Sequence, residues 1–140
     1  MTHLIDYNVS VPAVVTDQVH IPIPQTPDKV ILAELGIFIA PHFTNNRVQL
    51  IANVGVTGDP IEASISQILF RVFRGTQEIY YALQGVEADF ERNEIVTLQV
   101  IDINVPIGAH GYSLYVEKLS QFAEVTIVGP INMSAAVYAV

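Results

Sequence analysis

Four histidines, His3, His20, His42 and His110, are the side chains best suited to hold a metal ion, and no two of them stand two or four residues apart. Those spacings put two imidazoles on one face of a strand or a helix, so neither a metal centre nor a cofactor is expected. Carboxylates gather at Glu87, Asp89, Glu91 and Glu94, beside Arg92. Paired carboxylates serve as acid and base in glycoside hydrolysis or as calcium ligands, but this spacing fits neither an EF-hand loop nor a hydrolase signature. A solvated loop that keeps an apolar chain in solution is the reading adopted. Ser10, Ser64, Ser66, Ser113, Ser120 and Ser134 lie outside any Gly-x-Ser-x-Gly elbow, no glycine-rich loop opens a helix, and there is no cysteine. Without an activated nucleophile or a phosphate cradle, the chain is not expected to be an enzyme. Tyr80, Tyr81, Tyr112, Tyr115 and Tyr138 have ring faces suited to stacking on sugars, although aromatic residues in strands more often pack across them.

The elements that would position these groups read as strands. In 68–74, Ile68, Phe70 and Val72 fall on one face, with Arg71 and Arg74 assigned to the other, and Gly75-Thr76-Gln77-Glu78 turns the chain into a second run at 79–83. Ile31, Ala33, Leu35, Ile37 and Ile39 share a face, as do Val48, Leu50, Ala52, Val54 and Val56, opposite Arg47, Gln49 and Asn53. A period of two marks half-buried strands. Residues 57–60 are a turn by composition, and 61–67 fit a loop or one short helical turn. The segment 95–105 is apolar on both faces and is expected inside two packed layers. Tyr112, Leu114 and Val116 resume the alternation.

Pro12, Pro22, Pro24 and Pro27 set residues 1–28 apart, because proline removes ladder donors and favours extended or edge conformations. They read as an extended N-terminal arm ahead of a domain at 29–140. Its Val9, Val11, Val14, Val15, Val19, Ile21 and Ile23 are expected to pair as an edge strand on this subunit or on a neighbour, and Val9, Val11, Val15, Ile21 and Ile23 of these are expected oligomer contacts. Near the other terminus, 125–128 is expected to stop at Gly129-Pro130. Ile131, Met133, Ala135, Val137 and Ala139 then line one face up to Val140, a pattern suited to a sheet centre or a subunit axis. Met133, Ala135, Val137, Tyr138 and Val140 therefore join the arm residues as expected oligomer contacts. Eight or more short strands point to an all-β protein, an antiparallel β-sandwich of jelly-roll type.

Composition bounds the partners. Of the 140 residues 51% are hydrophobic and 14% charged, with a formal charge of −8. That charge and its six scattered basic residues argue against nucleic acid. The apolar stretch 30–40 is broken by Glu34 and Gly36, too short for a membrane span. Met1-Thr2-His3-Leu4-Ile5-Asp6 has neither a basic region nor an apolar core, so no secretory signal is expected.

Met1-Thr2-His3-Leu4-Ile5-Asp6-Tyr7, Leu32-Ala33-Glu34-Leu35, the run from Ile68 through Gly75, and Glu78-Ile79-Tyr80-Tyr81 carry a family likeness. So do Val105-Pro106-Ile107-Gly108, Tyr112-Ser113-Leu114, Val116-Glu117-Lys118-Leu119 and Val128-Gly129-Pro130-Ile131. Together they resemble exosporium protein C, a family of spore-forming bacteria, over nearly the whole chain. The resemblance implies synthesis in the mother-cell cytoplasm, then deposition on the spore surface or in a parasporal inclusion. Its implied partners are copies of itself and other spore-surface proteins, and it carries no catalytic motif across. A second, architectural likeness is to trimeric jelly rolls of the tumour necrosis factor and C1q type, with 133–140 near the axis. Self-assembly is the leading expectation; a head that binds a surface glycan or receptor, and a host-directed toxin, are the alternatives.

Overall fold

A computed structural model describes residues 2–58, 65–87, 93–119 and 124–140. Its strands are β1 (His3–Ala13), β2 (Ile21–Pro22), β3 (Val30–Ile39), β4 (Asn46–Gly58), β5 (Ile65–Arg74), β6 (Gln77–Glu87), β7 (Asn93–Ile103), β8 (Gly108–Lys118) and β9 (Val125–Ala139). One sheet runs β1-β9-β4-β7, with β2 paired to β9, and the other runs β3-β8-β5-β6. Among the described residues every pairing between these strands is antiparallel. Leaving aside the two-residue β2, this is the strand order of a jelly roll, eight strands in two four-stranded sheets.

The core lies between the sheets and is built by alternation. Val48, Leu50, Ala52, Val54 and Val56 of β4 face Tyr112, Leu114 and Val116 of β8 and Ile68, Phe70 and Val72 of β5 in one buried cluster. Ile131, Met133, Ala135 and Val137 of β9 complete it. Asn46 is the polar exception: fully buried, it donates from Nδ2 to the carbonyls of Phe43 and Val105 and accepts from Val105 N–H. It thereby ties the start of β4 to the chain leaving β7.

Several expectations change. Of the two places expected for the arm, the structure has it on its own subunit: residues 3–13 are the edge strand β1, laid along β9 from His3↔Ala139 to Ala13↔Ile131. The sandwich therefore includes part of the segment set apart as 1–28. Gly129-Pro130 does not end a strand, because β9 runs through it. The ladder to β4 shifts register there, between Val54 and Val56, so an extra stretch of β9 bulges while the strand continues. In β3 a register shift between Ile31 and Ala33 buries Leu32 and Ala33 together and turns Ile31 outward. Residues 95–105 do not lie inside two layers. β7 is the end strand of its sheet, with Val96, Leu98 and Val100 buried and Ile95, Ile101 and Ile103 exposed. Residues 65–67 belong to β5, while 61–64 lie outside the described residues.

Candidate functional site

The groups that suggested chemistry are dispersed. His3 and His110 sit on strands and His20 and His42 beside them. No group of three metal-ligating side chains occurs among the described residues. His110 Nε2 lies 2.6 Å from the Pro106 carbonyl. Asp89 and Glu91 fall outside the described residues, and Glu94 accepts a hydrogen bond from Gln84 Nε2 at 2.9 Å.

Two ion-pair networks are structural. Arg74 does not share a face with Arg71: it follows the inward parity of Ile68, Phe70 and Val72 and pairs with Tyr112 in the ladder. From there its Nη1 donates to Asp102 Oδ2 on the opposite sheet at 2.5 Å, and Tyr112 O–H donates to the same oxygen at 2.8 Å. Burial first, and then the hydrogen bond to Asp102, push the Tyr112 phenol well above its ordinary value. On the outside of the second sheet, Glu117 accepts from Arg71 Nε and from the Thr26 hydroxyl, while Arg71 Nη1 reaches Glu78 at 2.6 Å. Burial alone would raise the Glu117 carboxyl, but these donors and the charges of Arg71 and Lys29 outweigh it and hold the group low.

The outer surface of the β1-β9-β4-β7 sheet is different in kind. Inward positions on β9 are the odd residues 131–139, so Asn132, Ser134, Ala136 and Tyr138 face outward. The ladders carry that face across the sheet in rows: Leu4, Tyr138, Arg47, Ile103; then Tyr7, Ala136, Gln49, Ile101; then Val9, Ser134, Ile51, Gln99. Asn132, Asn53 and Thr97 form a fourth row, with Ile95 and Val11 at its corners. Leu4, Tyr7, Val9, Val11, Ile51, Ile95, Ile101 and Ile103 are all exposed. No carboxylate points from these rows, although the chain carries 14, and Arg47 is their single charge.

This face redistributes the expected oligomer contacts. Val9 and Val11 lie on it with Tyr138, exposed Val140 follows β9, and Val15 is exposed in the turn after β1. Ile23, Met133, Ala135 and Val137 are buried in the subunit's own core and have no surface for a second copy, and Ile21 packs against that core. Strand alternation found the apolar parity of β9 but not which side of the sheet it faced. The outward isoleucines of β7 carry no such signal, because a segment apolar on both faces reads as interior.

The second sheet's outside bears a trough. Gly36 and Gly111 are opposite each other in the ladder, and Gly75 N–H donates to Gly111 O at 2.8 Å, so three side-chain-free positions cross the sheet in line. With Glu34, Ser113 and Tyr115 they line a shallow depression of about 470 Å³. Tyr115 meets Phe73 edge to face, and Lys29 Nζ lies over both rings at 5.4 and 5.6 Å.

No protein-family model matches the chain, and no curated protein does. Among solved structures it is similar to dimeric latent PorU from Porphyromonas gingivalis, at 8% identity and TM-score 0.46 over 97% of this chain and 13% of that one. It is similar to a structure of infectious bursal disease virus, Gx strain, at 12% identity and TM-score 0.45 over 96% of this chain and 40% of that one. The CBM51 from Clostridium perfringens GH95, in complex with methyl-galactose, is matched at 11% identity and TM-score 0.33 over 95% and 92%. The chain thus spans well under half the length of the first two.

Proposed function

We propose that this protein is a structural, self-assembling component of the bacterial spore surface, or of an inclusion beside the spore, acting through contacts between copies and with other spore-surface proteins. The observation that carries self-assembly is the apolar outside of the β1-β9-β4-β7 sheet, whose described rows expose Leu, Ile, Val and Tyr and no carboxylate. Water-exposed apolar area is stabilised by burial at about 25 cal/mol per Å², and patches of this breadth mark interaction sites. Phe38, Tyr81 and Leu83 add exposed apolar groups on the opposite sheet, so the molecule has two faces to offer, as a layer requires. The spore surface itself rests on the sequence resemblance. Electron microscopy of the purified protein alone tests the reading: ordered sheets, fibres or crystals support it, and dispersed single subunits at high concentration refute it.

A recognition head for a surface glycan is the second reading, favoured by the glycine-floored trough. Glycine inside a strand marks a place where a ligand or another backbone comes close, and Tyr115, Glu34 and Ser113 supply the stacking ring and polar groups that sugars use. Saturable binding on a glycan array, abolished by Gly111→Leu, is its test.

A further inference from the structure

The self-assembly reading leaves open which contact forms first, and the rows of side chains on the β1-β9-β4-β7 sheet specify one. We infer that a second copy of this chain packs face to face on this sheet, about a two-fold axis that lies in the contact plane and runs along the strands between β9 and β4.

Size and charge both select a second copy. Four strands about 4.8 Å apart and nine or so residues long give a footprint of roughly 20 by 30 Å, which with side-chain relief approaches the roughly 800 Å² one partner gives to a stable interface. The chain carries a formal charge of −8, so two copies repel wherever carboxylates meet, and among the described residues the rows of this sheet face present none.

The axis direction follows from the rows. A two-fold contact is self-complementary, and an axis along the strands sets β1 of one copy over β7 of the other and β9 over β4 while keeping each row opposite itself. Leu4 then meets the partner subunit's Ile103, Tyr7 the partner's Ile101, and Ser134 the partner's Ile51. Arg47 and Tyr138 are ladder neighbours within one copy, so the same operation lays each Arg47 guanidinium over the partner's Tyr138 ring, a cation–π pair. Arg47 is the second residue of β4, exposed at the end of the strand, and stays at the wet rim, where its charge is not stranded. An axis across the strands through the same end row would set Arg47 against its own copy instead.

The test uses the full chain. Analytical ultracentrifugation should find a dimer as the smallest assembling unit. Ile51→Glu places a carboxylate at the centre of the face and should raise the dimer dissociation constant about 100-fold or more, while Leu83→Glu on the opposite sheet leaves it unchanged. The native chain has no cysteine, so single-cysteine variants report the axis. A mixture of Leu4→Cys and Ile103→Cys proteins should be joined by a short bis-maleimide, and neither variant alone should be. A folded Ile51→Glu protein that dimerises like the wild type, or cross-linking that does not need the mixture, overturns this contact. Ordered assembly persisting in either case shows that self-assembly stands through another surface, whereas a wild-type monomer at all concentrations removes both.

Discussion

Arg74 and Asp102 stand on opposite sheets and meet across one end of the sandwich, Nη1 to Oδ2 at 2.5 Å, with side chains only 18% and 13% exposed. Tyr112 O–H donates to the same carboxylate oxygen, so a single acid joins β7 to β5 and β8. Breaking such a pair costs more than the pair contributes, because the partner left behind is desolvated without compensation.

Asp102→Ala should therefore lower unfolding free energy by about 2–4 kcal/mol, and Tyr112→Phe, which removes one hydrogen bond, by about 1 kcal/mol. Urea midpoints at unchanged slope measure both. An Asp102→Ala midpoint equal to that of the wild type would show that the sheets do not depend on this link.

Glu117 sets an acid limit. Its folded-state pKa is held below the ordinary carboxylate value by Arg71 and Thr26 against the cost of burial. A lowered carboxyl stabilises the fold above the unfolded value of about 4.3, and that contribution is lost as pH falls through the folded value. The gap in stability between wild type and Glu117→Gln should be constant above about pH 5 and close below about pH 4. Thermal melts across that range check it, and a gap independent of pH would refute it.

The bulge in β9 is fitted to glycine on the neighbouring strand. A Cβ on Gly55 would lie 1.9 Å from the Gly129 carbonyl oxygen, backbone against a packed backbone, while one on Gly111 would meet nothing within 4 Å. Gly55→Ala should cost about 2–4 kcal/mol, and Gly111→Ala should stay within about 0.5 kcal/mol of the wild type. Equal melting temperatures for the two variants would contradict the geometry.

β3 ends its sheet, and an open strand edge invites other chains. Side chains of β1 cover it: Asp6 Oδ2 accepts from Phe38 N–H at 2.8 Å, and Asn8 Nδ2 donates to the Gly36 carbonyl at 2.7 Å. The double variant Asp6→Ala, Asn8→Ala should scatter more light and form disordered aggregates at concentrations where the wild type does not. Unchanged scattering would mean that the edge is protected by other means.

Alternation alone revealed the inward faces of β4 and β8 and the apolar parity of the far half of β9, because one buried side imposes period two without exception over five or more residues. Ile31 escaped, since a bulge belongs to a pair of strands and leaves no mark in either one. The charge of Arg74 points to the outside, although its parity with Phe70 and Val72 places it inside, where Asp102 accepts from it. The outward isoleucines of β7 look interior by composition, and only the sheet order shows one side of that strand uncovered. Gly129-Pro130 has the composition of a stop, yet β4 and β9 pair on both sides of it, so long-range ladders override the local signal.

The pairing of β1 with β9, His3 against Ala139, also imposes a schedule. During translation the first strand emerges long before its ladder partner exists, and more than a hundred residues must be made before that ladder can zip. Until then Leu4, Tyr7, Val9 and Val11 are an unpaired ribbon beside a half-built sheet. The apolar outer face is complete only once β9 has been made and has zipped between β1 and β4.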